Sequence, residues 1–184
     1  MNIIADKFPQ NPPAKTQKIV LRTQICLRIL AIGTALASAC VILTSKQSME
    51  IVGITFTARY SDSPTTKFFA FANAIAGVFC ALSILYLLCF CLRGPNPTNY
   101  YYLFLHDLCM MSLVLAGCAS ETAVGYIGRY GNSHAGWSPI CDHFGKFCNQ
   151  TMTSVVLSYL ALSFLLALTI MSAGTSRQIP VYDS

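Results

Sequence analysis

Residues 25–44 read ICLRILAIGTALASACVILT, an apolar run interrupted by one charge, Arg28. A transmembrane helix needs about 20 such residues, so this run spans a bilayer and is too long for a signal-peptide core. Three more runs of the same kind follow, at 68–92, 103–127 and 155–173. Each is long enough to cross with some tilt. The predicted fold is therefore an all-α membrane protein, a four-helix transmembrane bundle occupying 25–173. Composition agrees: of 184 residues, 54% are hydrophobic and 10% charged, with a mean hydropathy of +0.55. Soluble domains carry about a quarter charged residues.

Polar stretches surround the runs. Residues 1–24 carry Pro9, Pro12, Pro13, Lys7 and Lys15 without apolar periodicity, which predicts a disordered tail, and 174–184 form a second tail. Lys15, Lys18 and Arg22 precede the first run, with Arg93 and Arg177 on the same side of an even-numbered bundle. By the positive-inside rule both termini are cytoplasmic, although Lys46, Arg59, Lys67, Arg129 and Lys146 lie in the loops opposite. In the first outer loop, Ser45 to Lys67, residues Ile54, Phe56, Ala58 and Tyr60 alternate with Thr55, Thr57 and Arg59. That period of two predicts a strand and a small β-hairpin. The second outer loop, Gly128 to about Thr153, is rich in turn formers and holds the lone Trp137. The net charge of +5 does not indicate nucleic acid, because its Lys and Arg are scattered except before the first run.

Charges inside the runs carry the most information. Arg28 and Asp107 each lie about one turn inside spans that run in the same direction, which puts them at similar depth. An isolated charge costs about 2.5–3.5 kcal/mol near a helix centre, so an ion pair inside the bundle is the economical arrangement. The alternative is that Arg28 snorkels to the headgroups and Asp107 is solvated separately. Glu121 lies on the same span as Asp107, about 21 Å further along. With no other carboxylate, His, Lys or Arg between them, Glu121 reads as an interhelical or boundary residue rather than a step in a proton relay from His106.

Gly33 and Ala37, and then Ala70, Ala74, Gly77 and Ala81, recur at helical spacing, with Asn73 among them as interhelical glue. Such stripes pack helices within one bundle or between protomers. Of the nine cysteines only Cys141 and Cys148 fall in an outer loop, where a disulfide is expected. The rival arrangement, a metal held by His134, Cys141, His143 and Cys148, matches no standard zinc spacing. Cys26, Cys89, Cys91 and Cys109 lie near the cytoplasmic boundary, as small apolar packing residues or palmitoylation sites. Asn149-Gln150-Thr151 is an N-glycosylation sequon beside the fourth span. The sequence has no phosphate loop, nucleophile elbow or metal-binding helix, and the spans lack the paired breaks of transporter sites. Neither catalysis nor a metal or cofactor is expected.

The chain resembles the plant Casparian strip membrane domain (CASP-like) proteins, relatives of the MARVEL four-span proteins. The resemblance rests on Arg28 within Leu27-Arg28-Ile29-Leu30, Asp107 within His106-Asp107-Leu108, Ala58-Arg59-Tyr60-Ser61-Asp62 leading into Phe68-Phe69, and Ala72-Asn73-Ala74-Ile75. It extends through Gly125-Tyr126-Ile127-Gly128-Arg129-Tyr130-Gly131-Asn132, Trp137, Cys141 and Gly145-Lys146-Phe147-Cys148. The resemblance implies a plasma-membrane protein that forms homo- and hetero-oligomers with related four-span proteins. It also implies platforms in the membrane lipid that organise wall-modifying enzymes. Strip-forming members carry an aromatic-rich stretch in the first outer loop, whereas residues 47–55 here contain no aromatic residue. The expected function is a non-catalytic, self-associating membrane scaffold. The alternative is a small ion or solute channel or transporter using Arg28, Asp107 and Glu121.

Overall fold

The computed structural model describes residues 14–51, 54–93 and 97–178. Residues 1–13 and 179–184 of the two tails lie outside the described residues, as do the side chains of Lys15, Cys91, Arg93 and Arg177. Four helices dominate: α1 (Ala14–Thr44), α2 (Pro64–Arg93), α3 (Pro97–Tyr130) and α4 (Gly145–Gln178). All four are long and apolar enough to cross a membrane, so this is a four-span helical membrane bundle. Between α1 and α2 the strands β1 (Lys46–Ile51) and β2 (Ile54–Arg59) form an antiparallel pair with Lys46 opposite Arg59 and Met49 opposite Phe56. This is the small hairpin that the period of two predicts. A 3-10 turn, Tyr60–Asp62, leads into α2, where Asp62 Oδ2 accepts from the Arg59 amide at 2.8 Å.

The helices outrun the apolar runs. Residues 14–24, read from composition as disordered tail, form the first turns of α1, and α4 continues through 174–178 of the other tail. The second loop is likewise shorter than read, since α3 extends to Tyr130 and α4 already begins at Gly145. The reason is common to all three. Hydropathy marks the hydrocarbon core, whereas a helix of 34 residues is about 51 Å long and runs on through the interfacial layers.

Each helix packs chiefly on its two neighbours, closing a ring in the order α1, α2, α3, α4. Because lipid is as apolar as leucine, small residues and polar residues that find partners, rather than apolar residues in general, mark the face that turns inward. Small side chains line the interior, Ala31, Ala35 and Ala39 of α1 and Ala70, Ala72 and Ala76 of α2 among them, and large ones such as Phe71, Leu85 and Ile170 project outward. Gly117 sits where α3 meets α2: a Cβ there would lie 3.3 Å from that of Ala72 and 3.6 Å from the Phe69 Cα. Phe69, Ile42, Val114, Leu165 and Leu168 fill the core between the layers of small residues.

The connection 131–144 folds back on the end of α3. Gly131 turns the chain at φ +72°, after which Asn132 and Trp137 exchange backbone hydrogen bonds of 2.8 and 3.0 Å. The Gly128 carbonyl accepts from the Ile140 and Cys141 amides. The hairpin is tied to this end too: Gln47 Oε1 accepts from the Phe147 amide at 2.9 Å, satisfying one of the free N–H groups in the first turn of α4.

Candidate functional site: a polar node joining four helices

The site begins with a fully buried arginine. Arg28 of α1 and Asp107 of α3 are both 0% exposed, and they belong to helices on opposite sides of the ring. Arg28 is long enough to cross it. Its Nη1 donates to Asp107 Oδ1 and its Nη2 to Oδ2, both at 2.8 Å, the two-pronged geometry that suits a guanidinium and a carboxylate. The other two helices join the same node. Nη1 also donates to Ser83 Oγ of α2 at 2.6 Å, and Ser172 Oγ of α4 donates to Asp107 Oδ2 at 3.1 Å. His106 Nδ1 lies 3.2 Å from Asp107 Oδ1. Gln24, one turn before Arg28, is also fully buried, and its amide has no hydrogen-bond partner among the described residues.

Three further sets of polar contacts lie between this node and the hairpin. Asn73 Oδ1 of α2 accepts from Ser158 Oγ of α4 at 2.7 Å, again across the ring, while Cys118 Sγ of α3 donates to the same hydroxyl at 3.0 Å. Ser38 of α1 and Ser154 of α4 each donate a hydroxyl to the other's carbonyl at 2.8 Å, a reciprocal pair that needs close helix approach. Nearest the hairpin, Thr66 Oγ1 of α2 donates to Glu121 Oε1 at 3.2 Å. Glu121 is 2% exposed and an interhelical residue, its second oxygen without a partner among the described residues. Asp107 and Glu121 are separated by Asn73, Ser158 and Cys118, with no further carboxylate, His, Lys or Arg of α3 between them.

The remaining residues singled out by sequence divide by face. Gly77 is buried beside Leu36, whose Cδ2 would lie 2.7 Å from an added Cβ, so it belongs to the α1–α2 contact. Ala74 is half-buried next to it. Gly33 faces outward with nothing near its Cβ position, and Ala37 is half-buried. Cys141 and Cys148 are joined in a disulfide with their Cα atoms 5.7 Å apart, fastening the connection to the first turn of α4. His134 and His143 are exposed, and no group of metal-ligating side chains occurs among the described residues. Asn149 is exposed on α4, while the hydroxyl of Thr151 in its sequon turns back to the Phe147 carbonyl.

Arg28 and Asp107 are conspicuous in sequence because charge in an apolar run is expensive. Ser38, Ser83, Ser154, Ser158 and Ser172 are not, since serine is common in membrane helices and only the closed ring shows which hydroxyls meet. What the arrangement can do chemically is hold helices: its donors and acceptors face one another across the centre, where a permeation path would run.

The family model described as the Casparian strip membrane protein domain matches residues 17–164, which include Arg28, Ser83 and Asp107. CASP-like protein 1F1 of Vitis vinifera is 55% identical over 181 residues, covering 97% of this chain and 86% of that protein. CASP-like protein 1F1 of Populus trichocarpa is 53% identical over 94% of this chain and 96% of its own length. CASP-like protein 1F1 of Ricinus communis is 49% identical over 98% of this chain and all of its own length. No solved structure matches.

Proposed function

The chain belongs to the Casparian strip membrane protein domain family of plant membrane proteins, and on that premise we propose that it is a non-catalytic plasma-membrane scaffold. Copies of the chain associate with one another and with related four-span proteins, and the platform so formed holds partners, wall-modifying enzymes among them, in a lipid subdomain. Both termini face the cytoplasm, and the hairpin and the disulfide-bonded connection form the outer surface. The observation that carries this reading is the polar node. Four helices contribute to one set of hydrogen bonds at the bundle centre, and both charges are fully buried in it. Such a bundle is a rigid body with a fixed lipid-facing surface, which is what a platform component needs. Gly33 on the outward face of α1, with half-buried Ala37 one turn further on, permits close approach of a neighbouring helix there.

The channel reading would need Arg28, Asp107 and Glu121 to line a wet path. The pairing of the first two across the ring argues against it. Two differently tagged copies expressed together, then solubilised and captured by one tag, test self-association. The scaffold predicts co-capture from cells expressing both and little from lysates mixed after solubilisation. Monomers alone, with ion flux from reconstituted liposomes that Asp107→Asn abolishes, would replace the scaffold with the channel.

A further inference from the structure

Residues of the hairpin alternate by side. Gln47 opposite Ala58, Met49 opposite Phe56 and Ile51 opposite Ile54 share one side, and Lys46 opposite Arg59, Ser48 opposite Thr57 and Glu50 opposite Thr55 share the other. The first side is apolar except for Gln47, which reaches the Phe147 amide. An N–H in the first turn of a helix points outward along the helix axis, so this side of the hairpin faces the end of the bundle. Lys46, Ser48 and Glu50, on the second side, are all exposed.

The backbone of β1 carries a matching pattern. Only two residues separate Ile51 from Ile54, so these two form the hydrogen-bonded pair that closes the hairpin, and bonded pairs alternate back through Met49 and Gln47. The N–H and C=O groups of Lys46, Ser48 and Glu50 therefore point away from β2, and none of them bonds to backbone elsewhere among the described residues. Such an edge is a template for another strand.

Its charges are self-complementary. Lys46 stands across from Arg59, a like-charged pair that costs stability, and neither Lys46 nor Glu50 has an ion-pair partner among the described residues. A second β1 laid antiparallel about Ser48 puts Glu50 of each copy opposite Lys46 of the other, and Ser48 opposite Ser48. These are the residues whose backbone groups are free, so charge and hydrogen bonding select the same register.

We infer that the β1 edge is a two-fold contact between copies of this chain, joining two hairpins into one four-stranded antiparallel sheet. This contact rests on the self-association proposed above and is the surface through which it occurs. Symmetry fits a shared bilayer. Copies in one membrane are related by an axis along its normal, and the two-fold axis of an antiparallel strand pair is perpendicular to the sheet. The sheet then lies along the membrane surface with one side toward the bundle, which is how Gln47 holds the hairpin.

The test is co-capture of two differently tagged full-length copies expressed together and solubilised in mild detergent. Lys46→Glu turns both Lys–Glu contacts into Glu–Glu, and Glu50→Lys turns both into Lys–Lys. Either change alone is expected to lower co-capture about tenfold. Co-expressing one copy of each variant restores it, because every contact again joins opposite charges, and so does combining both changes in one chain. A weakened hairpin does not explain the loss in Lys46→Glu, since that change sets opposite charges across from each other at 46 and 59. Under mild oxidation Ser48→Cys gives a disulfide-linked dimer, whereas Thr57→Cys, about 14 Å from its counterpart across the two β1 strands, gives no more than the unaltered chain. Full co-capture by both single variants, no rescue on mixing them, or no dimer from Ser48→Cys would overturn this contact and leave self-association to another surface. Failure of the unaltered copies to co-capture would overturn self-association itself, and the contact with it.

Discussion

Replacing Asp107 by Leu removes the acceptor of both Arg28 Nη groups and of the Ser172 hydroxyl, and leaves a guanidinium with 0% exposure beside Ser83 alone. Stranding one member of a buried pair costs about 3–5 kcal/mol, a large share of a folding free energy of about 5–15 kcal/mol. Arg28→Met leaves the carboxylate of Asp107 with only Ser172 and His106 as donors, at a similar cost. The two changes together remove both charges and return apolar side chains of similar volume, so the double variant is expected to lose about 1 kcal/mol or less. The interaction free energy of the double-mutant cycle is therefore several kcal/mol. It can be read by unfolding the four purified proteins in mixed micelles of rising SDS fraction, following Trp137 fluorescence, with delivery to the cell surface as a second readout. Additive losses, with the double variant as unstable as the sum of the singles, would refute the pairing across the ring.

Other predictions concern the end that carries the hairpin. Gly131→Ala places a Cβ 2.6 Å from the Trp137 carbonyl at a φ of +72° and is expected to cost about 1–3 kcal/mol, seen as faster proteolysis within 131–144. Gln47→Ala removes the acceptor for the Phe147 amide and is expected to cost about 1 kcal/mol, with faster amide exchange confined to the first turn of α4. Cys141→Ser opens a loop with a sequence separation of 7, for which the chain-entropy estimate is about 2–3 kcal/mol; thermal unfolding falls accordingly, and the electrophoretic shift on reduction disappears.

How much of this was legible in sequence depends on what kind of signal each part carries. The four spans follow from hydropathy alone, and the hairpin from the alternation that begins at Ile54, of which Ile54–Arg59 forms β2 and Tyr60 opens the 3-10 turn. Helix ends are not legible from hydropathy, because Ala14 to Gln24 and Gly145 to Thr153 are polar enough to resemble tail and loop yet are helical, and polar residues are compatible with helix beyond the hydrocarbon core. The identities of Arg28, Asp107 and Glu121 stood out because of the energy of a charge in lipid, but nothing in the spacing says that Thr66 faces Glu121 or that Ser172 reaches Asp107. Those contacts depend on helix rotation. Rotation is hard to read here because both faces of each span carry many apolar residues, and the buried hydroxyls that mark the inward face are of a kind also found on the outward one.

The scaffold account is tested most directly by the lateral mobility of the chain itself. A fluorescently tagged copy expressed at native level in plant plasma membrane is bleached in a small region and compared with an unrelated four-span marker of similar size. The account predicts slow, incomplete recovery that becomes faster when the tagged copy is expressed without its four-span relatives. Recovery as fast and complete as that of the free marker, with those relatives present, would contradict it.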